Sequence, residues 1–229
     1  MTSGTKPLSF SETKLILLEG LPGTGKSTAA EALCERLRGS GYNCQWFHED
    51  EPRHPLSHEG LKMGEDVASY RDVLADRWRT FVAAAHGQEA VTILDARLLQ
   101  NALLPQVRQG LERGEILESL LRLAKICEPL SPQLIYLRSN DYPSRLKSIL
   151  QARGADWSRF MIQRDEASAL AQRRGLLGFD ALFGVLTQAS AVQERFLSQV
   201  PMCIHQVEIE NGWPTSETLY EMLYRPTVP

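Results

Sequence analysis

Residues 15–33 read LILLEGLPGTGKSTAAEAL. The opening is a continuous apolar run of strand length, and Ala29, Ala30, Leu33 and Leu37 then recur at helical spacing until Gly39 and Gly41 stop the pattern. Between the two lies Gly20-Leu21-Pro22-Gly23-Thr24-Gly25-Lys26-Ser27, a match to G-x-x-x-x-G-K-[ST] with a strand before it and a helix after it, as a phosphate loop requires. Glycines let the backbone curl so that successive N–H groups face phosphate oxygens, and the helix N-terminus adds its positive dipole end. Residues Gly20, Leu21, Pro22, Gly23, Thr24, Gly25, Lys26, Ser27 and Thr28 are therefore candidate nucleotide-binding residues. Lys26 would reach the β and γ phosphates, and Ser27 would give its hydroxyl to magnesium.

Outward from this unit, strands and helices alternate. YNCQWF (42–47), VTILD (91–95), QLIYL (133–137) and CIHQVEI (203–209) read as strands. Helical spacing runs from Gly64 to about His86, from Leu98 to Ile126 with breaks near Gly110 and Gly114, through YPSRLKSIL (142–150), and through 179–199. A short terminal helix follows Thr215 or Ser216 as its cap. Strands separated by such helices need crossover connections, so the expected fold is α/β, a parallel sheet with helices on both faces. One domain spanning 1–229 is expected, with residues 1–13 loose.

Ligands of an open parallel sheet sit beyond the carboxyl ends of its strands, which makes the strand ends candidate sites. The third strand ends in Asp95-Ala96-Arg97. Asp95 could hold magnesium or orient an attacking hydroxyl, and Arg97 could bind an acceptor's anionic group; the plainer alternative is a helix-capping Asp beside a solvated Arg. After the second strand, Glu49, Asp50 and Glu51 stand where a general base for an alcohol acceptor would, or form a solvated loop. His48, His54 and His58 nearby lack the helical i,i+4 presentation of a metal site. Residues 153–175 carry Arg153, Arg159, Arg164, Arg173 and Arg174. They read as a helical lid whose arginines, Arg153, Arg173 and Arg174 among them, would bind phosphate, or as an ordinary amphipathic helix. Trp78 and Trp157 default to core.

Charge is nearly balanced, 25 basic against 28 acidic residues, which disfavours a protein that grips nucleic acid. The four cysteines have no C-x-x-C spacing and suit a reducing cytoplasm. No apolar run approaches the roughly 20 residues needed to cross a bilayer.

The order of strand, phosphate loop, strand, acidic loop with Glu51-Pro52, strand with Asp95-x-Arg97, and arginine-rich segment resembles the phosphate-loop kinases of the thymidylate kinase and deoxynucleoside kinase group. LEGLPGTGKST also looks like the loop of small-molecule kinases of the adenylate kinase and zeta-toxin type. The Asp95-Ala96-Arg97 spacing inserts a residue into the D-R pair of the thymidylate kinases, and no E-R-S element is present. The resemblance implies a three-layer α/β/α phosphate-loop NTPase with five strands in the order 2-3-1-4-5. It also implies ATP and Mg2+ as cofactors, and a small-molecule phosphoryl acceptor, a nucleoside or nucleotide first and then a sugar, amino-alcohol or antibiotic. The expected activity is an ATP-dependent kinase. A nucleotide-binding switch acting through a partner is the alternative, though no N-K-x-D guanine motif is present.

Overall fold

The computed structural model describes residues 12–49, 51–52, 54–57, 60–61, 63, 66–209 and 212–224. Five strands, β1 (Leu15–Gly20), β2 (Cys44–Phe47), β3 (Val91–Asp95), β4 (Gln133–Arg138) and β5 (Cys203–Glu208), form one sheet in the order 2-3-1-4-5. Every pairing is parallel. The order expected from the resemblance is the order found, with β1 at the centre.

The central strand is apolar on both sides because both sides are covered. Leu15 and Leu17 enter one core, Ile16 and Leu18 the other. On the second face lie α1 (Lys26–Gly39) and α9 (Ser216–Met222). The first face is covered by α2 (Val67–His86), α3 (Leu104–Gln109), α4 (Arg113–Cys127) and α8 (Gly178–Gln199). Trp78 and Phe196 are its largest fully buried side chains, so Trp78 is core as expected. The cysteines carry free thiols, and Cys34, Cys44 and Cys127 are buried as small hydrophobes.

Several local readings need correction. The tract from Leu98 breaks at Gly110, which ends α3 in the left-handed conformation (φ 74°), but Gly114 lies inside α4. The tract also opens with a π-helical turn, Arg97–Asn101, closed by the Asn101 N–H on Ala96 O at 2.8 Å. Thr13 is not loose: it is buried and accepts a hydrogen bond from Gln133 Nε2 at 2.9 Å. The rest of the segment expected to be loose, up to residue 11, lies outside the described residues. Thr215 caps α9 as expected, accepting from Thr218 N at 3.1 Å.

The arginine-rich segment follows α5 (Tyr142–Arg153) and forms two helices, α6 (Ala155–Glu166) and α7 (Ala169–Arg174). Helix α6 packs on α8 and α5, and α7 on α3. No helix among the described residues is long and apolar enough to cross a membrane.

Candidate active site

The turn after β1 is fixed largely by one carbonyl. Leu21 O accepts from Thr24 N at 3.3 Å, Thr24 Oγ1 at 3.0 Å and Lys26 Nζ at 3.0 Å. Gly20 has no room for a side chain, since a Cβ there would lie 2.5 Å from Leu137 O on the neighbouring strand. Gly25 sits at φ 88°, and a Cβ would lie 2.2 Å from Trp213 Nε1. Two other elements brace the turn: Tyr142 Oη of α5 donates to Pro22 O at 3.0 Å, and Trp213 Nε1 donates to Thr24 O at 2.9 Å. No side chain caps the N-terminus of α1, so its first N–H groups are left for an anion.

A family model described as AAA domain matches residues 15–129, just over half of the chain and the whole span from β1 to the end of α4. The chain belongs to this family. Two solved structures are similar over most of the chain. One is a deoxyadenosine kinase from M. mycoides with bound dATP, at 17% identity and TM-score 0.44, covering 91% of this chain and 96% of that one. The other is EHV4-TK complexed with TP5A, at 13% identity and TM-score 0.38, covering 91% and 89%. A search of curated proteins finds no match.

Beneath the loop of this AAA domain three charged groups are buried together. Asp95 is fully buried, and neither carboxylate oxygen has a hydrogen-bond partner among the described residues. Glu19, which the sequence reading passed over, is also fully buried; its Oε1 accepts from Leu98 N at 2.6 Å while Oε2 has no partner. Burial pushes the Glu19 carboxyl up to about 7, against the pull of the Leu98 and Leu99 N–H groups and of Lys26. Burial likewise pushes the Lys26 ammonium down, with Glu19, Glu49 and Asp95 opposing. Three buried acceptor oxygens without donors are a donor set that a hard divalent cation fits. Ser27 lies on the wall of the cleft.

Glu19 has a signature in stability. A carboxyl raised from 4.5 to about 7 binds more protons folded than unfolded across that interval, so stability falls as pH rises through it. Glu19→Gln should flatten this fall by on the order of 3 kcal/mol between pH 4.5 and 7.5, read by urea unfolding at the two pH values. Equal slopes in the two proteins would remove Glu19 from the account.

The loop opens onto a cleft of about 600 Å³. Its walls bring together Gly23, Gly25, Lys26, Ser27 and Thr28 from the loop, Glu49 after β2, Arg97 and Gln100 after β3, Arg108 of α3, and Arg153, Trp157, Phe160 and Arg164 around α6. Trp157 lines the cleft while packing, partly buried, against the first core. Glu49 is held by Gln100 Nε2, which donates to its Oε2 at 3.2 Å. Glu51 is not among the lining residues; its backbone shapes the loop, donating to His48 O and accepting from His54 N, both at 3.0 Å. Asp50 and His58 lie outside the described residues. Among those that are described, no group of three His, Cys, Asp or Glu could hold a metal ion.

The arginines divide. Arg97, expected to bind an acceptor's anion, does line the cleft, but it is 3% exposed and its donors are taken up as a tether. Its Nε donates to His54 Nε2 at 3.0 Å, its Nη1 to Leu56 O at 3.3 Å, and its Nη2 to Glu49 O, fastening the loop after β2 to the end of β3. Arg153 and Arg164 line the cleft. Arg173 and Arg174 do not: the short α7 turns them to a separate cavity, where Arg173 Nη2 donates to Gln109 O and Gly110 O at 2.9 and 2.7 Å. Arg108, missed in the sequence, takes a place at the cleft instead. Fully buried Asp165 holds it through Nε at 2.6 Å and holds Arg164 through Nε at 3.0 Å.

Proposed function

We propose that this chain is an ATP- and magnesium-dependent phosphotransferase that moves the γ-phosphoryl group to a small-molecule acceptor bound in the cleft. The observation that carries this reading is that the loop with Lys26 lines one cleft together with Arg108, Arg153 and Arg164, beside the tethered Arg97, with room left for an acceptor. Phosphoryl transfer depends mainly on positioning and on cations placed around the moving group, and these walls supply both. In this reading the loop N–H groups and Lys26 hold the donor, Ser27 and Asp95 hold magnesium, and the arginines face the transferring group. Magnesium, when bound, would offset charge on the β and γ phosphates. The acceptor enters between Glu49 and the aromatic pair Trp157 and Phe160, in a cavity of the size usual for small-ligand sites.

Among the described residues Glu49 is the acid of the 49–51 run that lines this space, and it is assigned as the base for a hydroxyl acceptor. Glu49→Gln should lower kcat about 10²-fold with the KM for ATP unchanged. Unaltered turnover would point to a phosphate acceptor, which needs no base.

The test is ATP consumption against a panel of nucleosides, nucleotides, sugars, amino acids and aminoglycosides. An acceptor that speeds ADP release and gains the mass of one phosphate establishes the activity. Hydrolysis that is rapid without any acceptor and answers to a protein partner would establish a nucleotide switch in its place.

A further inference from the structure

A second cavity of about 600 Å³ lies between α3, α4, α7 and α8 and shares no lining residue with the cleft at the phosphate loop. Four arginines line it, Arg113, Arg173, Arg174 and Arg195, against a single acid, Glu112. None of the four is in an ion pair among the described residues. Arg113 Nε donates to the neutral Gln188 at 2.7 Å, and Arg173 donates only to backbone carbonyls. Five arginines elsewhere on the surface are paired with carboxylates: Arg36 with Glu217, Arg79 with Asp76, Arg122 with Asp72, Arg138 with Glu194 and Arg159 with Asp156.

Four guanidinium groups brought around one concavity repel one another, and the single acid among the lining residues, Glu112, offsets that repulsion only in part. Their forked donors match phosphate oxygens. Arg113 also begins α4, a 15-residue helix whose N-terminus has no side-chain cap and whose second residue, Gly114, leaves the approach open. Behind the arginines the wall is apolar, with Leu170 and Val192 buried in it.

We infer that this cavity is a binding site for a small phosphate-bearing ligand of two or more negative charges, separate from the nucleotide cleft. The phosphate lies among the arginines at the start of α4, and the remainder of the ligand rests against Leu170 and Val192. The inference stands apart from the phosphotransferase reading, because it rests on residues that reading does not use.

Calorimetric titration with inorganic pyrophosphate tests it, using the full chain, the Lys26→Ala variant and the double variant Arg174→Gln with Arg195→Gln. The side chains of these two arginines are exposed and make no hydrogen bond or ion pair among the described residues, so their loss leaves the fold in place, as circular dichroism would verify. The expected result is an equivalent of pyrophosphate that survives Lys26→Ala and is weakened at least tenfold in the double variant. That result stands even if the phosphate loop binds nothing, which separates a failure here from a failure of the proposed activity. Identical titrations of the wild type and the double variant would overturn the site. Displacement of pyrophosphate from it by a tighter-binding polyglutamate peptide would overturn the small ligand in favour of an acidic protein segment.

Discussion

Lys26→Ala should lower kcat for phosphoryl transfer about 10³-fold while the protein remains folded. Lys26 is a cation on the wall of the cleft, only 6% exposed and close in charge to Glu19, Glu49 and Asp95. With it gone, the phosphates would meet those acids without the ammonium that offsets them, in a site where low solvent access magnifies every charge. Glu19 absorbs part of the structural effect: with a pKa already near 7, it takes up a proton once the neighbouring ammonium is removed. The variant's thermal midpoint should therefore lie closer to wild type at pH 6 than at pH 8. Turnover in the variant within tenfold of wild type would mean that the loop does not hold the donor as described.

The second large effect is on stability. Asp165→Ala should cost about 3–5 kcal/mol of unfolding free energy, because it takes away the carboxylate that among the described residues pairs with both Arg108 and Arg164, and leaves the largely buried Arg108 and the partly buried Arg164 without it. Burial already pushes the Arg108 guanidinium down and the Asp165 charge opposes that shift, so the deletion acts on a group poorly solvated to begin with. Activity should fall as well, since both arginines lose the bond that aims them at the cleft. Urea unfolding and acceptor-dependent ADP release measure the two effects. A loss of stability under 1 kcal/mol would show that Asp165 is not the anchor of the pair.

What the sequence disclosed and what it concealed divide along contact distance. The apolar run before Gly20, the motif itself and the helical spacing after it are all local, and β1, the loop and α1 are where they were expected. Asp95 was visible because it ends a strand. Glu19 was in plain sight, an acid inside a strand otherwise buried on both sides, and that mismatch was the signal that could have found it. Arg108 and Asp165 gave no such signal: one is a charge on a helical tract, the other sits among arginines, and their bond joins positions 57 apart. The same holds for Arg97, whose neighbour Asp95 suggested a ligand while its actual partners lie more than forty positions earlier. The arginine-rich segment was read as one unit, but the start of a second helix at Ala169 sends its last two arginines to another face.

The bonds from Trp213 to Thr24 and from Arg36 to Glu217 span 189 and 181 positions. On the ribosome, the glycine turn is therefore made early but shaped late. A nascent chain carries the motif for 189 further positions without the indole that braces Thr24 and Gly25, and longer without the helix that packs on α1. The glycine turn reaches its final form only after translation has passed residue 213.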